Sequence, residues 1–302
     1  MNLLTLDGLE RDAMTGLLDQ ADEFLDVLDR PIPKVPTLRG KTVAMLFFEP
    51  STRTKLSFDR AARALSADTM AFSPTGSSLS KGESLKDTAL TLLAMGPHAL
   101  VVRHRSTGAP WRIAEWTGVP TVNAGDGAHQ HPTQGLLDAL TIRQRFGTLD
   151  GLRIGIVGDL RHSRVARSDV AAFTTLGADV TLIGPRTMQP PFIDDWQVSV
   201  SEDLDALLGD LDVVYLLRIQ TERGAGAVFP SVAEYVRRYG MTVERADRLG
   251  PDAVVMHPGP MNRGVEIDPS VADGERSLIT TQVRNGVAVR MAVLFHLLGG
   301  DQ

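Results

Sequence analysis

The 302-residue chain contains no cysteine, which removes disulfides, catalytic thiols, zinc fingers and iron–sulfur clusters together. No stretch approaches the ~18 apolar residues a membrane span needs. Met1 to Arg30 mixes Leu with Asp and Glu and shows neither a basic leader nor a long apolar core, so no export signal is read and the expected compartment is the cytoplasm. Positive charge is not in excess either: 31 Lys and Arg face 37 Asp and Glu, a formal net charge of -6. Such a chain is not drawn as a whole to nucleic acid or to an anionic membrane. A small anion in a locally basic cleft stays open. What the sequence does hold is 43% hydrophobic and 23% charged residues, the proportions of a globular protein with a substantial core. Its length suits about two domains of ~150 residues.

From Lys41 onward short apolar runs alternate with amphipathic segments, the mark of an α/β chain with parallel sheets. The expected architecture is two doubly wound domains, each with a central parallel sheet flanked by helices. Pro31, Pro33 and Pro36 form a rigid connection between an N-terminal helix and the first strand. Thr42 to Phe48 reads as a buried strand, broken by Glu49 and Pro50, and Ser51 is placed to cap a helix with Phe58, Ala61, Ala62 and Leu65 on its core face. A helix bearing Leu85, Thr88, Ala89 and Leu92 leads to a strand at Ala99 to Val102, and a further strand ends near Asn123. Pro132 suits the first turn of a helix with Leu136, Leu137 and Leu140. A polar turn at Gly147 marks the expected boundary, giving domains at 1–147 and 148–282. Strands are expected at 152–157, 179–183, 213–217 and 253–256. A final helix from Val283, with Val287, Met291, Leu294 and Leu298 on one stripe, makes 283–302 a separate C-terminal segment.

Chemistry-bearing residues recur just after strands. Ser51, Thr52, Arg53 and Thr54 stand between a strand and a helix, where unpaired N–H groups, hydroxyls and a forked cation outline a phosphate site. Spacing alone serves an ordinary Ser cap equally well, and no Walker loop is present. Arg103 follows a strand, although with His104 and Arg105 it also reads as a polar loop. His131 directly before a helix could polarise a carbonyl oxygen, with Gln134 one turn further in; His129 and His131, with Asp126 nearby, invite a metal reading, but no third ligand stands at clear spacing. Ser77 to Glu83, including Lys81, reads by itself as a solvated loop. Gly155 to Leu160 starts like a dinucleotide fingerprint, but the third Gly is absent and Arg161 to Arg164 fills the turn, which suits a carboxylate better. Arg218 and Gln220 follow another strand, and His257 to Pro260 another. Basic or hydroxyl residues after five expected strands point to one shared cleft.

In this order, Phe48 to Thr54, Ser80 to Glu83, Asn123 to Gln134, Gly158 to Arg164 and His257 to Pro260 resemble the catalytic chains of the aspartate carbamoyltransferase family, over nearly the whole chain. The related ornithine carbamoyltransferases carry a Cys in the loop matching His257 to Pro260; here Gly259 stands there and the chain has no Cys, which favours aspartate as acceptor. The resemblance implies a first domain for carbamoyl phosphate, a second for L-aspartate, and a last helix packing back on the first. It implies that Ser51, Thr52, Arg53 and Thr54 bind phosphate, that Arg103 and His131 contact carbamoyl phosphate, with His131 and Thr54 near its carbonyl oxygen, and that Gln134, Gly259 and Pro260 receive its amide. It implies that Arg164, Arg218 and Gln220 hold the aspartate carboxylates, and that Lys81 and one of Ser77 or Ser78 enter a neighbouring subunit's site in a homotrimer.

It implies no metal, no cofactor and no covalent enzyme intermediate. The product would be N-carbamoyl-L-aspartate, an early step toward pyrimidines. Pro50 and Gly259 depart from some relatives and suggest assembly with something other than the regulatory chain of one subgroup, a dihydroorotase-like partner being the candidate. Carbamoyl transfer to ornithine or another amino acid is the nearest alternative. An NAD-dependent dehydrogenase built on Gly155 to Asp159 is a remote one, and a sensor that lost turnover is a third.

Overall fold

The apolar run after Lys41 becomes β1 (Thr42–Phe47), buried from Val43 onward. The computed structural model describes residues 2–72, 82–219 and 231–299. The chain divides into two compact units, Met1–Leu140 with Arg284–Gln302, and Thr141–Val283. In the first unit α1 (Arg11–Leu28) precedes β1, followed by α2 (Thr52–Ala64), β2 (Asp68–Phe72), α3 (Leu85–Leu93), β3 (Ala99–His104), α4 (Ala109–Thr117), β4 (Thr121–Asp126) and the start of α5 (Pro132–Phe146). The strands are all parallel in the order β2-β1-β3-β4. Connections therefore leave β1 and β3 in opposite directions, which opens a crevice at their carboxyl ends. The β4 edge is covered by the N-terminal segment: the Leu3 N–H donates to the Thr121 carbonyl at 2.9 Å, and the Leu3 carbonyl accepts from the Asn123 N–H at 2.9 Å.

Two elements here escape the sequence reading. The edge strand β2 is only half-buried, and Thr69 within it donates to the Asp59 carboxylate; it lacks the apolar run that marks β1. Helix α4 follows Gly108 as its N-cap residue and carries Pro110 in its first turn, so its short apolar face reads as a loop. One side of the sheet is closed by Ala44 and Leu46 of β1 and Leu100 and Val102 of β3 against Ala89 and Ile113. Each large aliphatic side chain buried this way contributes about 1.5–3 kcal/mol.

The second unit continues from α5 through β5 (Arg153–Val157), α6 (Arg164–Thr175), β6 (Asp179–Ile183), β7 (Ser199–Ser201), β8 (Val213–Leu216), α7 (Val232–Tyr239), α8 (Val243–Ala246), β9 (Val254–Met256), α9 (Pro269–Ala272) and into α10 (Ile279–Leu298). Its parallel strands lie in the order β7-β6-β5-β8-β9. Here the reversal, and so the crevice, falls between β5 and β8.

Both divisions between the units fall inside helices. In α5 the division comes after Leu140, ahead of the turn at Gly147, whose positive φ ends the helix. Helix α10 starts at Ile279, four residues before the expected Val283, and is buried all round from Ala288 to Leu294 instead of along one stripe. Neighbours within the first unit explain this: Phe295 meets Phe24 of α1 edge-on at 5.8 Å, Arg284 pairs with Asp29 at 2.6 Å, and Arg290 reaches Ser57 of α2 at 2.8 Å. A helix enclosed on several sides is apolar on several sides.

Candidate active site

The β1/β3 crevice of the first unit gathers the turn Ser51 to Thr54 and Arg103. Ser51 is the N-cap residue of α2 by its backbone, φ -160° and ψ 97°, yet its side chain makes no capping hydrogen bond. Ser84, Ser163 and Ser231 do cap their helices, accepting from the N–H groups of Asp87, Ala166 and Glu234. The difference leaves the Ser51 hydroxyl uncommitted to the cap, at the positive end of the α2 dipole, where an anion is favoured. Thr52 and Arg53 are exposed and Thr54 is buried, so the turn offers both a rim and a floor.

Arg103 ends β3 with its guanidinium fastened to the Ala124 carbonyl at 3.2 Å and to Glu49 at 3.3 Å. His131 is buried immediately before α5. One turn on, the Gln134 side-chain amide donates to both Asp138 carboxylate oxygens, at 3.2 and 3.0 Å. An ionised carboxylate only accepts, so this pairing fixes the NH2 end toward Asp138 and turns the Gln134 carbonyl the other way.

Asp126 and His129 have a structural explanation. The fully buried Asp126 carboxylate accepts from the Gly108 N–H at 2.8 Å, the Asn123 side-chain amide at 2.8 Å and the Gln130 N–H at 3.1 Å. His129 lies 3.4 Å from it and packs its ring against Trp111. Burial pushes the Asp126 carboxyl up, but the nearby His129 and the hydrogen bonds from Asn123 and the Gly108 N–H outweigh burial and hold it below the ordinary value of 3.8. This carboxylate ties the start of α4 to the end of β4 and to the loop that follows it. His104 beside Arg103 is pulled below its usual value by burial.

At the β5/β8 crevice of the second unit, Asp159 accepts the His162 N–H at 3.1 Å and meets the His162 ring at 3.0 Å, which shapes the turn that delivers Arg164 to the first position of α6. Arg164 is buried and Arg218, just past β8, is half-buried. The next N–H, that of Ile219, donates to Glu266 at 2.8 Å. The same carboxylate accepts the Asn262 N–H at 2.8 Å and the Asn262 side-chain amide at 2.9 Å. Burial pushes the Glu266 carboxyl up against these donors. Glu266 thus ties the Arg218 strand end to the loop that follows β9. In that loop His257 Nδ1 accepts the Gly259 N–H at 2.8 Å, and the half-buried Gly259 and exposed Pro260 are joined by a cis peptide. Lys81, Ser77, Ser78 and Gln220 lie outside the described residues.

The strand β5 also accounts for the partial dinucleotide fingerprint. A Cβ on Gly155 would stand 2.6 Å from Leu211 and 3.0 Å from Ile183, so this glycine admits neighbouring core side chains into the sheet. Glu49, Asp138, Asp159 and Glu266 are the residues that sequence reasoning missed. Only two had a local signal: Asp138 four residues after Gln134 on one helix, and Asp159 three before His162 at a turn. Glu49 and Glu266 act across 54 and 47 residues.

Family models match both halves of the chain: the carbamoyl-P binding domain of aspartate/ornithine carbamoyltransferases over residues 1–144, and the Asp/Orn binding domain over residues 150–297. The aspartate carbamoyltransferase catalytic subunit of Thermobifida fusca is 56% identical over 99% of this chain and 96% of its own. That of Parafrankia sp. is 57% identical over 99% and 97%. Among solved structures, aspartate transcarbamoylase from Trypanosoma cruzi with carbamoyl phosphate and aspartate superposes with TM-score 0.89 at 29% identity, over 98% of this chain and 96% of that one. Ornithine carbamoyltransferase from Pyrococcus furiosus gives TM-score 0.89 at 28% identity, over 100% and 98%. The backbone is therefore common to both acceptor classes, and with both family domains matched in sequence order, the chain belongs to the aspartate/ornithine carbamoyltransferase family.

Proposed function

We propose that the chain transfers the carbamoyl group of carbamoyl phosphate to the amine of L-aspartate, giving N-carbamoyl-L-aspartate and phosphate. The observation that carries this reading is the β1/β3 crevice: an α2 N-terminus whose Ser51 side chain does not cap it, beside the fastened Arg103. Such a set suits a phosphorylated donor. The acceptor follows from the curated aspartate carbamoyltransferase relatives at 54–57% identity and from Gly259 in a chain without Cys.

The deprotonated amine of aspartate attacks the carbamoyl carbon and forms the C–N bond. Negative charge gathers on the former carbonyl oxygen, the C–O bond to phosphate breaks, and the amine proton ends on a phosphate oxygen. In this scheme Ser51, Thr52, Arg53 and Thr54 bind the phosphate, while Thr54, Arg103 and His131 face the developing oxyanion. Gln134 presents its carbonyl to the carbamoyl NH2, and Gly259 and Pro260 supply carbonyls as further N–H acceptors. Arg164, Arg218 and Gln220 take the aspartate carboxylates. These side chains hold, orient and stabilise charge. Incubation with carbamoyl phosphate and each amino acid in turn tests the reading; turnover with ornithine alone would replace it by the nearest alternative.

The reading extends to a homotrimer acting early in pyrimidine synthesis in the cytoplasm, with Lys81 serving a neighbouring subunit. The relatives' name, catalytic subunit, supports a larger assembly, for which a regulatory chain or a dihydroorotase-like protein is the candidate partner. No described helix is long and apolar enough to cross a membrane. Reassembling inactive Lys81→Ala chains with inactive Arg53→Ala chains should restore part of the activity. No recovery after verified reassembly would mean self-contained sites.

A further inference from the structure

Behind the proposed carbamoyl-phosphate site lies a buried cation that the scheme above does not use. Arg290 stands in the middle of α10, 4% exposed. Its Nη1 donates to Ser57 Oγ at 2.8 Å and to the Gly286 carbonyl at 2.9 Å, and its guanidinium lies over the Phe58 ring at 5.1 Å. Ser57 is one helical turn beyond Thr54 on α2. The Asp138 carboxylate, which holds the Gln134 amide, attracts the same guanidinium, while Arg103 repels it. Arg290 is thus connected to the α2 turn by a hydrogen bond and to the α5 amide through the charge of Asp138.

Packing does not require this arrangement. Burial pulls Arg290 down to about 10, and its Nε meets no hydrogen-bond acceptor among the described residues. Methionine or leucine fills such space at lower cost than a charge taken out of water. The helix makes a second concession at Gly286, where a Cβ would stand 2.5 Å from Arg290 Nη1 and 3.1 Å from Leu137. Glycine inside a helix is ~1 kcal/mol worse than alanine, and here it leaves the room that the guanidinium occupies. Two locally unfavourable residues serving one contact mark a functional constraint.

We propose that Arg290 is a positioning residue for carbamoyl phosphate: from the last helix it holds Ser57 and balances Asp138, keeping the phosphate turn and the Gln134 carbonyl in one register. This rests on the carbamoyl-transfer reading, so wild-type turnover with carbamoyl phosphate and L-aspartate is measured first. Its absence removes both, whereas wild-type turnover with unmoved variants removes this inference alone. The variants are full-length Arg290→Met, Arg290→Lys, Gly286→Ala and Ser57→Ala.

Arg290→Met and Gly286→Ala should raise the KM for carbamoyl phosphate by about tenfold or more and change the KM for aspartate by less than about threefold. Arg290→Lys, which keeps the charge, should recover part of the loss, and Ser57→Ala should show a smaller rise in the same constant. A merely structural Arg290 would lower the thermal midpoint and the active fraction, hence kcat, and leave both KM values in place. Should Arg290→Met not fold, Gly286→Ala and Ser57→Ala decide, since one adds a single methyl group and the other deletes a single hydroxyl. A folded Arg290→Met or Gly286→Ala chain with a carbamoyl-phosphate KM within about twofold of wild type overturns the proposal. So does the failure of both Gly286→Ala and Ser57→Ala to move it.

Discussion

Replacing the Gln134 amide by a carboxyl group probes the orientation that Asp138 imposes. Gln134 Nε2 lies 3.0 Å from the nearer Asp138 oxygen, so Gln134→Glu sets two carboxyl groups at about that separation. At an effective dielectric of ~20 two full charges there repel by about 5.5 kcal/mol. With 1.36 kcal/mol per pH unit, the pair would keep one shared proton about four pH units above an ordinary glutamate, to about pH 8. The attraction between Asp138 and Arg290 draws the figure down, and a transition between about pH 6 and 8 is expected.

While that proton is bound, the variant still offers one carbonyl acceptor to the carbamoyl NH2. Once it leaves, a new negative charge stands beside a dianionic substrate, and each ~1.4 kcal/mol of repulsion is tenfold in binding. The assay is carbamoyl-phosphate saturation at pH 6, 7, 8 and 9, with wild type in parallel to cancel ionisation of the substrates. The ratio of variant to wild-type KM should climb by at least about tenfold across that range. A flat ratio would refute the placement of Gln134 against both Asp138 and the substrate.

Arg53→Ala should lower turnover by about 10²- to 10³-fold, the usual cost of one donor to a developing or departing anion. The exposed Arg53 side chain makes its stability effect small, within about 0.5 kcal/mol; near-normal rates in the folded variant would remove Arg53 from the phosphate turn. Asp126 has a lowered folded value, so its contribution to stability is complete above the ordinary 3.8 and is lost as pH falls through that lower folded value. Asp126→Asn should therefore cost about 1–3 kcal/mol at pH 7. Urea unfolding should show that gap narrowing below pH 3.8; an equal gap at both pH values would mean that the carboxylate charge contributes nothing.

Strands whose burial is complete were plain in the sequence. Thr42 to Phe47 is a run of apolar side chains because both faces of β1 are covered, and the same holds for β3, β5 and β8. The half-buried edge β2 carries no such run. The stretch 51–54 was legible as a phosphate turn or a cap, and only the absence of a Ser51 capping bond separates the two. Long-range partners were not legible. Nothing near Arg103 in the chain announces Glu49, and nothing near Arg218 announces Glu266, because those contacts exist only after distant strands pair. The same limit applies to Arg290, whose partner Ser57 and neighbouring charge Asp138 come near it only on folding.

The acceptor is the point on which the backbone is silent, since aspartate and ornithine enzymes superpose equally well on this chain. A competition settles it: the purified chain is given carbonyl-¹³C carbamoyl phosphate with equal concentrations of L-aspartate and L-ornithine, and the products are resolved by carbon NMR. The account predicts N-carbamoyl-L-aspartate in excess by about a hundredfold or more, because the arginines proposed for the aspartate carboxylates would leave an ornithine ammonium opposed by like charge. Citrulline as the main product, or no carbamoylated amino acid at all, would contradict it.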